Sequence, residues 1–551
     1  MAPQVEIKQG SSRTATGQFT VASLDGLLTL DDLALPVGEN SPSRRQPDLG
    51  QSSRLVDAFR LVAQQCGDEV VLATGKKSIT YRTVAVGAAS VADWLTRQEW
   101  FSSGARVGIL LPNCAEYIAA LYGTLWAGGV TVPLPPDVAT ARLNRVAHLC
   151  DVKAVLTTAR VASRRHDLKD RSVETIVPDQ HASIDLPVGE PLAIDGQSLA
   201  MIVFTSGSSG DPKGVMLSDQ NLLTNALSIL DYLPIDADDR ALIALPFCYA
   251  FGNSILQTHV LAGATLIING SMAFPNTVVK ALDRHQATSF SSVPEGFRAL
   301  LNRSSLGTQA LPQLRYMSVA GGALDPQSAK QMAQCIKPAE FFVMYGQTEA
   351  TARLAWLPPE RLVAKAGSIG RPVYGVELKV ADAEGRAADP GTVGELIARG
   401  PNVMLGYFND PAATAKTLSG DWLHTGDLAV VDDDGYFFIR GRKSDLVKIQ
   451  GIRVHPREVE DSLAAHFPSN RIYVVAFGDG STSRLALFFE PGTDRRLLSE
   501  ARRTCGRELP MALMPTVIDV LDEIPLTPAG KLDRRALSHL AESVTSSVKS
   551  A

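Results

Sequence analysis

The sequence predicts an α/β protein with a large N-terminal domain of mixed and parallel sheets covered by helices, followed by a small, mobile α+β domain. Near-continuous apolar strands alternate with helical patterns from residue 55 onward, which is typical of sheets covered on both faces. The 551 residues are too many for one ordinary core and suit two or more domains. Near residue 441 this alternation gives way to a shorter α+β pattern.

Apolar runs predict the strands of the large domain, at residues 70–72, 107–111, 130–134, 154–156, 201–204, 241–244, 265–268, 316–319 and 341–344. Helical spacing of apolar residues predicts a helix from residue 55 and two more at 84–95 and 115–126. Residues 435–439 follow an acidic turn, as a hairpin strand would. Beyond the boundary, Pro456 predicts a helix start, and two apolar runs predict a strand pair at 473–477 and 485–489.

These changes of pattern define four predicted segments. Residues 1–50 are rich in Ser, Gly, Pro, Gln and Asp, which predicts a flexible extension. Within it, the apolar patch at residues 27–35 is a candidate for docking on the rest of the protein. Residues 51–440 form the large domain, residues 441–444 form the boundary, and residues 445–551 form the small C-terminal domain.

Composition and charge narrow the class of function. Hydrophobic residues make up 45% and charged residues 20% of the chain, as in an ordinary globular protein. The formal net charge of −5 gives no reason to expect nucleic acid as a partner. No run of 18 apolar residues and no signal-peptide pattern is present, so we expect no transmembrane segment. Six scattered cysteines without CxxC pairs favour buried thiols and a cytoplasmic location.

A segment rich in Gly, Ser and Thr, from Thr205 to Gly214, is the strongest indication of a binding site. It follows the strand predicted at 201–204, and its small residues let backbone N–H groups approach a polyanion while Lys213 adds a positive charge. Its spacing differs from the Walker loop and from the dinucleotide-binding fingerprint. It therefore predicts a phosphate-binding loop of another kind, and the alternative is a flexible surface loop.

Four further segments carry residues suited to a nucleotide site. Residues 345–349 (Tyr-Gly-Gln-Thr-Glu) follow a predicted strand, and the final Glu is a hard oxygen ligand suited to Mg²⁺ on a triphosphate, or else a helix-start acid. Residues 318–323 place glycines after a strand, which permits a flat ring to approach the backbone. Residues 425–427 (Thr-Gly-Asp) precede a Gly-Arg pair at 441–442. Lys531 lies in a Pro/Gly-rich turn, where a solvated charge is the ordinary alternative.

The loop at 205–214 and these four segments make five motifs along the chain. Together they resemble the acyl-adenylate-forming (AMP-dependent synthetase/ligase) superfamily, which includes acyl-CoA synthetases, stand-alone adenylation domains and luciferases. The resemblance covers about residues 55–537. It implies ATP and Mg²⁺ as cofactors, catalytic roles for Lys531, Thr348 and Glu349, and Glu349 as the metal ligand. The ATP site that it implies consists of Thr205, Ser206, Gly207, Ser208, Ser209, Gly210, Lys213, Gly321, Gly322, Ala323, Tyr345, Gly346, Gln347, Asp427 and Arg442.

The resemblance also implies individual roles. The 205–214 loop covers the β- and γ-phosphates, Thr348 contacts phosphate, and Tyr345 lies against the adenine. Asp427 and Arg442 hold the ribose. Lys531 places a cation between the attacking carboxylate and the α-phosphate, where it offsets the repulsion between two anions.

The superfamily reaction has two halves. A carboxylate attacks the α-phosphate of ATP to give acyl-AMP and pyrophosphate, and a thiol of CoA or of a carrier protein's phosphopantetheine then displaces AMP. Catalysis is positioning plus charge neutralisation, so no protein nucleophile is needed. Relatives rotate the small domain between the halves, so the resemblance implies that residues 441–444 act as a hinge and residues 445–551 as a mobile lid. The rotation exchanges Lys531 for the face near Lys448 and Gly451. The hinge position, commonly Asp or Lys in relatives, is Ser444 here.

The acid pocket is predicted from residues 246–254, where Tyr249 and Phe251, together with Val293, make an apolar pocket. No acidic residue stands near Gly252, where amino-acid-activating domains carry an Asp, and this argues against an α-amino acid. We therefore expect a fatty or other apolar carboxylic acid. Plain core packing is the alternative role of the two aromatic residues.

The acceptor stays open between CoA and a carrier protein. Residues 509–534 look more like carrier-loading adenylation domains, but no carrier domain follows, and no obvious insertion between residues 372 and 424 restrains rotation as in fatty acyl-AMP ligases. The alternatives are a dedicated carrier-loading enzyme for an unusual acid and a non-catalytic nucleotide-binding homologue. A luciferase-like oxidation has no support in the sequence. A non-catalytic homologue is disfavoured because the chain has all five residues expected at the site: Lys213, Glu349, Asp427, Arg442 and Lys531.

Overall fold

The computed structural model describes residues 46–551 apart from residues 76, 166–191, 193, 206–211, 270–271, 450–451, 469, 479–482, 529 and 550–551. The apolar patch at 27–35 therefore lies outside the described residues. Residues 46–50, which the sequence assigned to the extension, contact the body: the Gln46 side chain donates a hydrogen bond to the Ile235 carbonyl at 2.7 Å, and Leu49 packs against the main core.

The helices are, in chain order, α1 (Leu55–Gln65), α2 (Tyr81–Thr96), α3 (Ala115–Trp126), α4 (Thr140–Leu149), α5 (Ala159–Arg164), α6 (Asp219–Tyr232), α7 (Ala250–Leu261), α8 (Pro275–Arg284), α9 (Pro294–Arg303), α10 (Pro326–Cys335), α11 (Pro411–Thr417), α12 (Pro456–Ala464), α13 (Leu497–Glu508) and α14 (Arg534–Lys549). The helix predicted at 115–126 has the predicted bounds, and Pro456 is the first residue of α12. Proline suits this position because the first helical N–H needs no partner within the helix.

The strands are, in chain order, β1 (Val70–Thr74), β2 (Lys77–Thr80), β3 (Arg106–Leu110), β4 (Val130–Leu134), β5 (Ala154–Leu156), β6 (Leu199–Thr205), β7 (Lys213–Ser218), β8 (Arg240–Ile243), β9 (Thr265–Ile268), β10 (Ser289–Ser292), β11 (Tyr316–Val319), β12 (Glu340–Tyr345), β13 (Ala355–Leu357), β14 (Arg371–Pro372), β15 (Glu377–Ala381), β16 (Gly394–Arg399), β17 (Gly406–Tyr407), β18 (Leu418–Ser419), β19 (Trp422–Val431), β20 (Phe437–Arg442), β21 (Val447–Ile449), β22 (Ile452–Val454), β23 (Ile472–Phe477), β24 (Arg484–Phe489) and β25 (Val517–Val520). Every strand predicted from an apolar run is present.

Before residue 443, the described strands form three sheets. The largest has the order β14-β13-β12-β11-β10-β8-β9-β1-β2, and β9, β8, β10, β11 and β12 run parallel within it. A second sheet has the order β17-β7-β6-β4-β3-β5, and a third joins β15, β16, β18, β19 and β20. Strands such as β4 are buried along their whole length because helices cover both faces of these sheets.

The part of the chain after residue 446 has apolar cores of its own. One is built on β23, β24, α12 and α13, and the other packs α14 against the opposite face of the same sheet. In this sheet β23 pairs antiparallel with β24, as predicted, and β24 runs parallel to β25. The apolar clusters of the larger part end at residue 439. The α/β fold class predicted from the sequence is confirmed.

Among the described residues, no helix combines the length and the apolar composition needed to cross a membrane.

Candidate active site

The site lies where the parallel strands β10, β11 and β12 end side by side. The last residues of β10 and β11 are in register, with Ser292 opposite Val319, and Val319 lies opposite Val343, two residues before the end of β12. Open α/β sheets bind their ligands at such carboxyl ends. The segments that follow these strands contain Val293, residues 321–323 and residues 345–349, so three of the predicted segments meet at one edge.

Lys531 reaches this edge from the small domain. Gly321 has a positive φ of +85°, and a Cβ at that position would lie 3.0 Å from Lys531 Cε and 3.5 Å from Nζ and from a Val293 methyl group. A side chain at position 321 would therefore displace the lysine. Val293, predicted for the acid pocket, lies beside both residues at the start of α9.

A tight turn holds Lys531 in place. The Thr527 N–H donates to the Lys531 carbonyl at 2.7 Å, the Lys531 N–H donates to Thr527 Oγ1 at 3.2 Å, and the Gly530 N–H donates to the Thr527 carbonyl at 2.8 Å. Gly530 adopts a φ of +75° and faces Val293, so the turn seats directly on the large domain. The predicted Pro/Gly-rich turn thus presents the lysine rather than leaving it in bulk solvent.

The electrostatic surroundings of Lys531 join the predicted site residues into one cluster. Lys531 is exposed overall, but protein atoms surround its ammonium, and this desolvation lowers the pKa of Lys531. The positive charge of Arg442 lowers that pKa further, whereas Glu349 and Asp427 oppose the shift. The lysine therefore lies close enough to all three groups to interact with their charges.

Asp427 and Arg442 form an ion pair on adjacent strands. Arg442 Nε lies 2.8 Å from Asp427 Oδ1, because β19 and β20 place the two residues opposite each other. The Tyr345 hydroxyl donates to Asp427 Oδ2 at 2.5 Å. Burial raises the pKa of Asp427, while the Arg442 charge and the Tyr345 hydrogen bond oppose the rise. Burial would lower the pKa of Arg442, but Asp427 and then Tyr345 raise it overall.

Glu349 has the chemistry that a magnesium ligand needs. Its Oε1 accepts a hydrogen bond from the Tyr407 hydroxyl at 2.9 Å, and the Lys213 ammonium lies 4.7 Å from the centre of the Tyr407 ring. Among the described residues, no cluster of three or more His, Cys, Asp or Glu could hold a metal by itself. Mg²⁺ is commonly bound by one or two carboxylates plus substrate phosphates. The residues present therefore fit Mg²⁺ that arrives with a triphosphate.

The loop after β12 is sterically constrained. A Cβ at Gly346 would lie 1.9 Å from the Ala352 carbonyl oxygen, so only glycine fits there. Thr351 adopts a φ of +62°, unusual for a β-branched residue, and is held by its hydroxyl bond to the Asn402 carbonyl at 2.8 Å. Between them, Gln347 caps a short 3-10 turn formed by Thr348–Ala350. This turn fixes the directions of Thr348 and Glu349.

The structure describes only some of the other residues predicted for the ATP site. Thr205 pairs with Lys213 where the antiparallel strands β6 and β7 lead into and out of the predicted phosphate loop. Ser206, Gly207, Ser208, Ser209 and Gly210 lie outside the described residues. Gly322 and Ala323 are exposed beside the start of α9, where a Cβ at Gly322 would lie 3.4 Å from Pro294 and the Ala323 carbonyl accepts from Arg298 at 3.1 Å.

The three residues predicted for the acid pocket do not lie together. Phe251 lies on the first turn of α7 and lines a narrow cavity below the strand ends. Tyr249 immediately precedes α7 and is not among the residues that line this cavity. Burial raises the pKa of its hydroxyl to about 12. Val293 lies at the cleft, beside Lys531.

The predicted hinge and thioester residues lie after β20. Ser444 is exposed in the turn Lys443–Asp445, and its hydroxyl donates to Asp445 Oδ1 at 3.1 Å. Lys448 is exposed on the β21–β22 hairpin, and Gly451 lies outside the described residues. The His455 ring packs against Gly441 and donates from Nε2 to the Arg442 carbonyl at 2.8 Å. The backbone just before the hinge is thus held by a residue of the small domain.

The sequence did not predict roles for three residues near the site. Tyr407 orients Glu349, His455 holds the Arg442 backbone, and Arg471 of the small domain pairs with Glu295 of α9 at 2.8 Å. Arg298 also pairs with Glu295, at 3.0 Å. None of these residues belongs to one of the quoted motifs, and each acts through a partner distant in sequence.

Comparisons with known proteins agree with this geometry. Residues 59–408 match the family model described as AMP-binding enzyme. The chain belongs to this family. It is 28% identical to the long-chain-fatty-acid–CoA ligase of Escherichia coli O157:H7, covering 90% of this chain and 96% of that protein. It is also 28% identical to the 2-succinylbenzoate–CoA ligase of Bacillus cereus, covering 86% of this chain and 96% of that one.

A solved structure extends the agreement to the fold. The anthranilate CoA ligase in complex with anthranoyl-AMP has a TM-score of 0.78 at 23% identity, covering 90% of this chain and 98% of that one. The predicted superfamily and the prediction of an AMP-forming acid–thiol ligase are confirmed.

Proposed function

We propose that this AMP-binding enzyme activates a carboxylic acid with ATP, as acyl-AMP, and then transfers the acyl group to the thiol of CoA. The observation that carries the proposal is the position of Lys531, whose ammonium side chain enters the large-domain cleft beside Gly321 and near Asp427, Arg442 and Glu349. The named relatives are CoA ligases, and this supports CoA over a carrier protein as the acceptor.

In the first half-reaction, a carboxylate oxygen of the acid forms a bond to the α-phosphorus of ATP, and the bond to the bridging oxygen breaks to release pyrophosphate. Both reactants are anions, so Lys531 lowers the barrier by placing positive charge between them. Asp427 accepts hydrogen bonds from the ribose hydroxyls, and its pairing with Arg442 keeps the carboxylate ionised although it is buried.

Glu349 and the phosphate oxygens would together hold Mg²⁺, which supplies charge neutralisation on the phosphates when bound. Tyr407 orients the carboxylate for this task, and Lys213, against the same ring, contributes a second positive charge on the phosphate side. The loop at 205–214 would cover the β- and γ-phosphates.

In the second half-reaction, the thiol loses its proton to solvent and its sulfur attacks the acyl carbonyl carbon, and AMP leaves with the electron pair of the broken bond between the acyl carbon and the phosphate oxygen. We propose that residues 445–551 rotate about Ser444 between the halves, bringing Lys448 and Gly451 toward the cleft. The separate apolar cores before residue 440 and after residue 446, and the exposed turn between them, support such a rotation. The Glu295–Arg471 ion pair would break as Lys531 leaves.

Pyrophosphate exchange across a panel of acids tests the proposal. Wild-type protein should exchange pyrophosphate into ATP with one class of acid, and Lys531→Ala should lower that rate about 10²–10³-fold. Lys280→Ala, at an exposed position on α8, is the matched control and should leave the rate unchanged. If no acid supports exchange while ATP still binds, the proposal fails.

The productive acid, offered with CoA and with a phosphopantetheinyl carrier protein, identifies the acceptor. Thioester formation with CoA is expected, and formation only with the carrier would assign the carrier-loading alternative. Ser444→Pro should slow the second half-reaction more than the first, because proline fixes a backbone angle that rotation must change. Equal rates of both halves in this variant would refute the hinge assignment.

A further inference from the structure

The backbone is strained at Thr351, just after the short turn that carries Glu349. Thr351 has a φ of +62° and a ψ of −59°, and across it the Ala352 N–H donates to the Ala350 carbonyl at 2.6 Å. These angles and this hydrogen bond define a γ-turn of the rare positive-φ kind, which is unfavourable for a β-branched residue. Such strain persists only where the surrounding structure enforces it, and it concentrates at functional sites.

The side chain of Asn402 holds this turn. It is 2% exposed, and its Nδ2 donates to the Arg353 carbonyl at 2.6 Å and, more weakly, to the Ala350 carbonyl at 3.4 Å. The backbone carbonyl of Asn402 accepts a hydrogen bond from the Thr351 hydroxyl at 2.8 Å. Asn402 therefore contacts the chain before, at and after the strained position.

The Asn402 amide also has an unfavourable feature. Its Oδ1 is buried without a donor among the described residues, and a Cβ at Gly400 would lie 2.9 Å from this oxygen, which therefore packs against a glycine. A buried acceptor without a hydrogen bond is destabilising, and an apolar side chain of similar size would avoid that loss. Such a side chain could not donate to the carbonyls of the turn. Holding the turn is the role that accounts for an amide at this position.

The segment 401–408, which contains Asn402, is fixed to the strand that leaves the predicted phosphate loop. The Asn221 side chain, in the first turn of α6, donates to the backbone carbonyls on either side of Asn402 at 2.7 and 2.9 Å. The short strand β17 of this segment pairs with β7, which begins at Lys213. The position of Asn402 is therefore set by the same part of the fold that positions Lys213.

The same segment holds Glu349 directly at two points. The Met404 N–H donates to the Glu349 carbonyl at 2.9 Å, and the Tyr407 hydroxyl donates to Glu349 Oε1 at 2.9 Å. Thr351 follows Glu349 by only two residues, so a change in its backbone angles would move Glu349 relative to both donors. The strained turn and these two contacts thus depend on one another.

We propose that Asn402 is a positioning residue for Mg²⁺ bound with ATP: it holds the strained turn at Thr351 and so keeps the Glu349 carboxylate where Tyr407 orients it. This inference rests on the proposed function and specifies how its metal ligand is held. The ribose contacts of the proposed function do not pass through this turn. Binding of ATP without metal should therefore not depend on Asn402.

Isothermal titration of ATP in EDTA and in saturating Mg²⁺ tests this inference without any acid present. The Kd in EDTA divided by the Kd in Mg²⁺ is the metal ratio, and for wild-type protein it should be at least about 10. Asn402→Ala should lower the metal ratio about 5–10-fold and change the Kd in EDTA by less than about 2-fold.

Asn225→Ala is the matched control. Asn225 is 1% exposed, and its amide donates weakly to the same Arg353 carbonyl, at 3.4 Å. Its metal ratio should stay within about 2-fold of wild type. An unchanged ratio in Asn402→Ala, an equal fall in Asn225→Ala, or a wild-type ratio near 1 would overturn the inference.

A second substitution separates positioning from general stability. Adding Thr351→Gly to Asn402→Ala should restore the metal ratio to within about 3-fold of wild type, because glycine adopts a positive φ without strain. A merely structural role predicts no recovery, since the second change removes another buried hydroxyl, and that result would contradict the inference.

One variant decides the question if Asn402→Ala does not fold. Thr351→Val removes only the hydroxyl bond to the Asn402 carbonyl and should lower the metal ratio about 3-fold, whereas an unchanged ratio would overturn the inference. Absence of pyrophosphate exchange with every acid counts against the proposed function instead, because these titrations need no acid.

Discussion

Two arginines have opposite electrostatic settings. Arg442 is half-exposed and paired with Asp427 at 2.8 Å, whereas Arg353 is fully buried and lacks an acidic partner among the described residues. The first arrangement is neutral as a pair and suits the uncharged hydroxyls of a ribose. The second leaves the Arg353 guanidinium beside the neutral ring of Phe251. The Arg442–Asp427 pair is therefore complete before a nucleotide binds, so its role can be tested separately from that of a lone cation such as Lys531.

The largest expected effect lies at Lys531, near the Arg442–Asp427 pair. Lys531→Ala should slow acyl-AMP formation about 10²–10³-fold, because it removes the cation between two anions. The second half-reaction, started from synthetic acyl-AMP and CoA, should stay within about 2-fold of wild type, because the lysine is proposed to leave the cleft before that step. Rapid-quench measurement of each half checks this, and an equal loss in both would contradict the assignment.

Breaking the Arg442 pair should have the next largest effect. Asp427→Asn should raise the Kd for ATP about 10–100-fold, since it removes a buried charged acceptor while Arg442, half-exposed, stays partly solvated. Glu377→Gln, at an exposed ion pair with Arg399 on the neighbouring strands, is the matched control and should change the Kd by less than about 2-fold. Isothermal titration measures both. Equal effects of the two substitutions would show that the pair has no special role.

A smaller effect is expected where the small domain docks. Arg471→Gln removes one ion pair to Glu295, while Arg298 keeps that carboxylate paired. Acyl-AMP formation should slow about 3–10-fold, because a partly buried pair contributes about 1 kcal/mol to the docked orientation. The thioester half should be unchanged or faster. A slower thioester half would mean that Arg471 serves both orientations.

The pH dependence sharpens the role of Lys531. Desolvation lowers its pKa, so its ammonium is protonated at low pH and loses its proton as pH rises through that lowered value. The kcat/KM for ATP should therefore fall on the alkaline side at a pH below that of an ordinary lysine. Lys531→Arg keeps the charge and should move this fall to higher pH. The same alkaline profile in both proteins would assign the titration to another group.

The two arginines also differ in how far the sequence predicted their surroundings. Asp427, Arg442, Glu349 and Lys531 stand in short motifs, because each must meet one part of an invariant nucleotide. The strand at 130–134 and the helix at 115–126 were predicted with their observed bounds, since unbroken apolar runs between turn residues leave little choice.

Arg353 gave no such signal. Its setting depends on Phe251, about a hundred residues earlier in the chain, and on the lack of a nearby carboxylate among the residues that the structure describes, and only the folded arrangement reveals either. The same holds for Arg471 and Glu295, which are 176 residues apart.

A crossed experiment on binding and catalysis tests the central claim most directly. AMP binding and acyl-AMP formation are measured separately in wild-type protein, Asp427→Asn and Lys531→Ala. The account predicts that Asp427→Asn weakens AMP binding by at least about 10-fold, whereas Lys531→Ala slows acyl-AMP formation about 10²–10³-fold and changes the Kd for AMP by less than about 2-fold. Weakening of AMP binding to the same extent by both variants would contradict it.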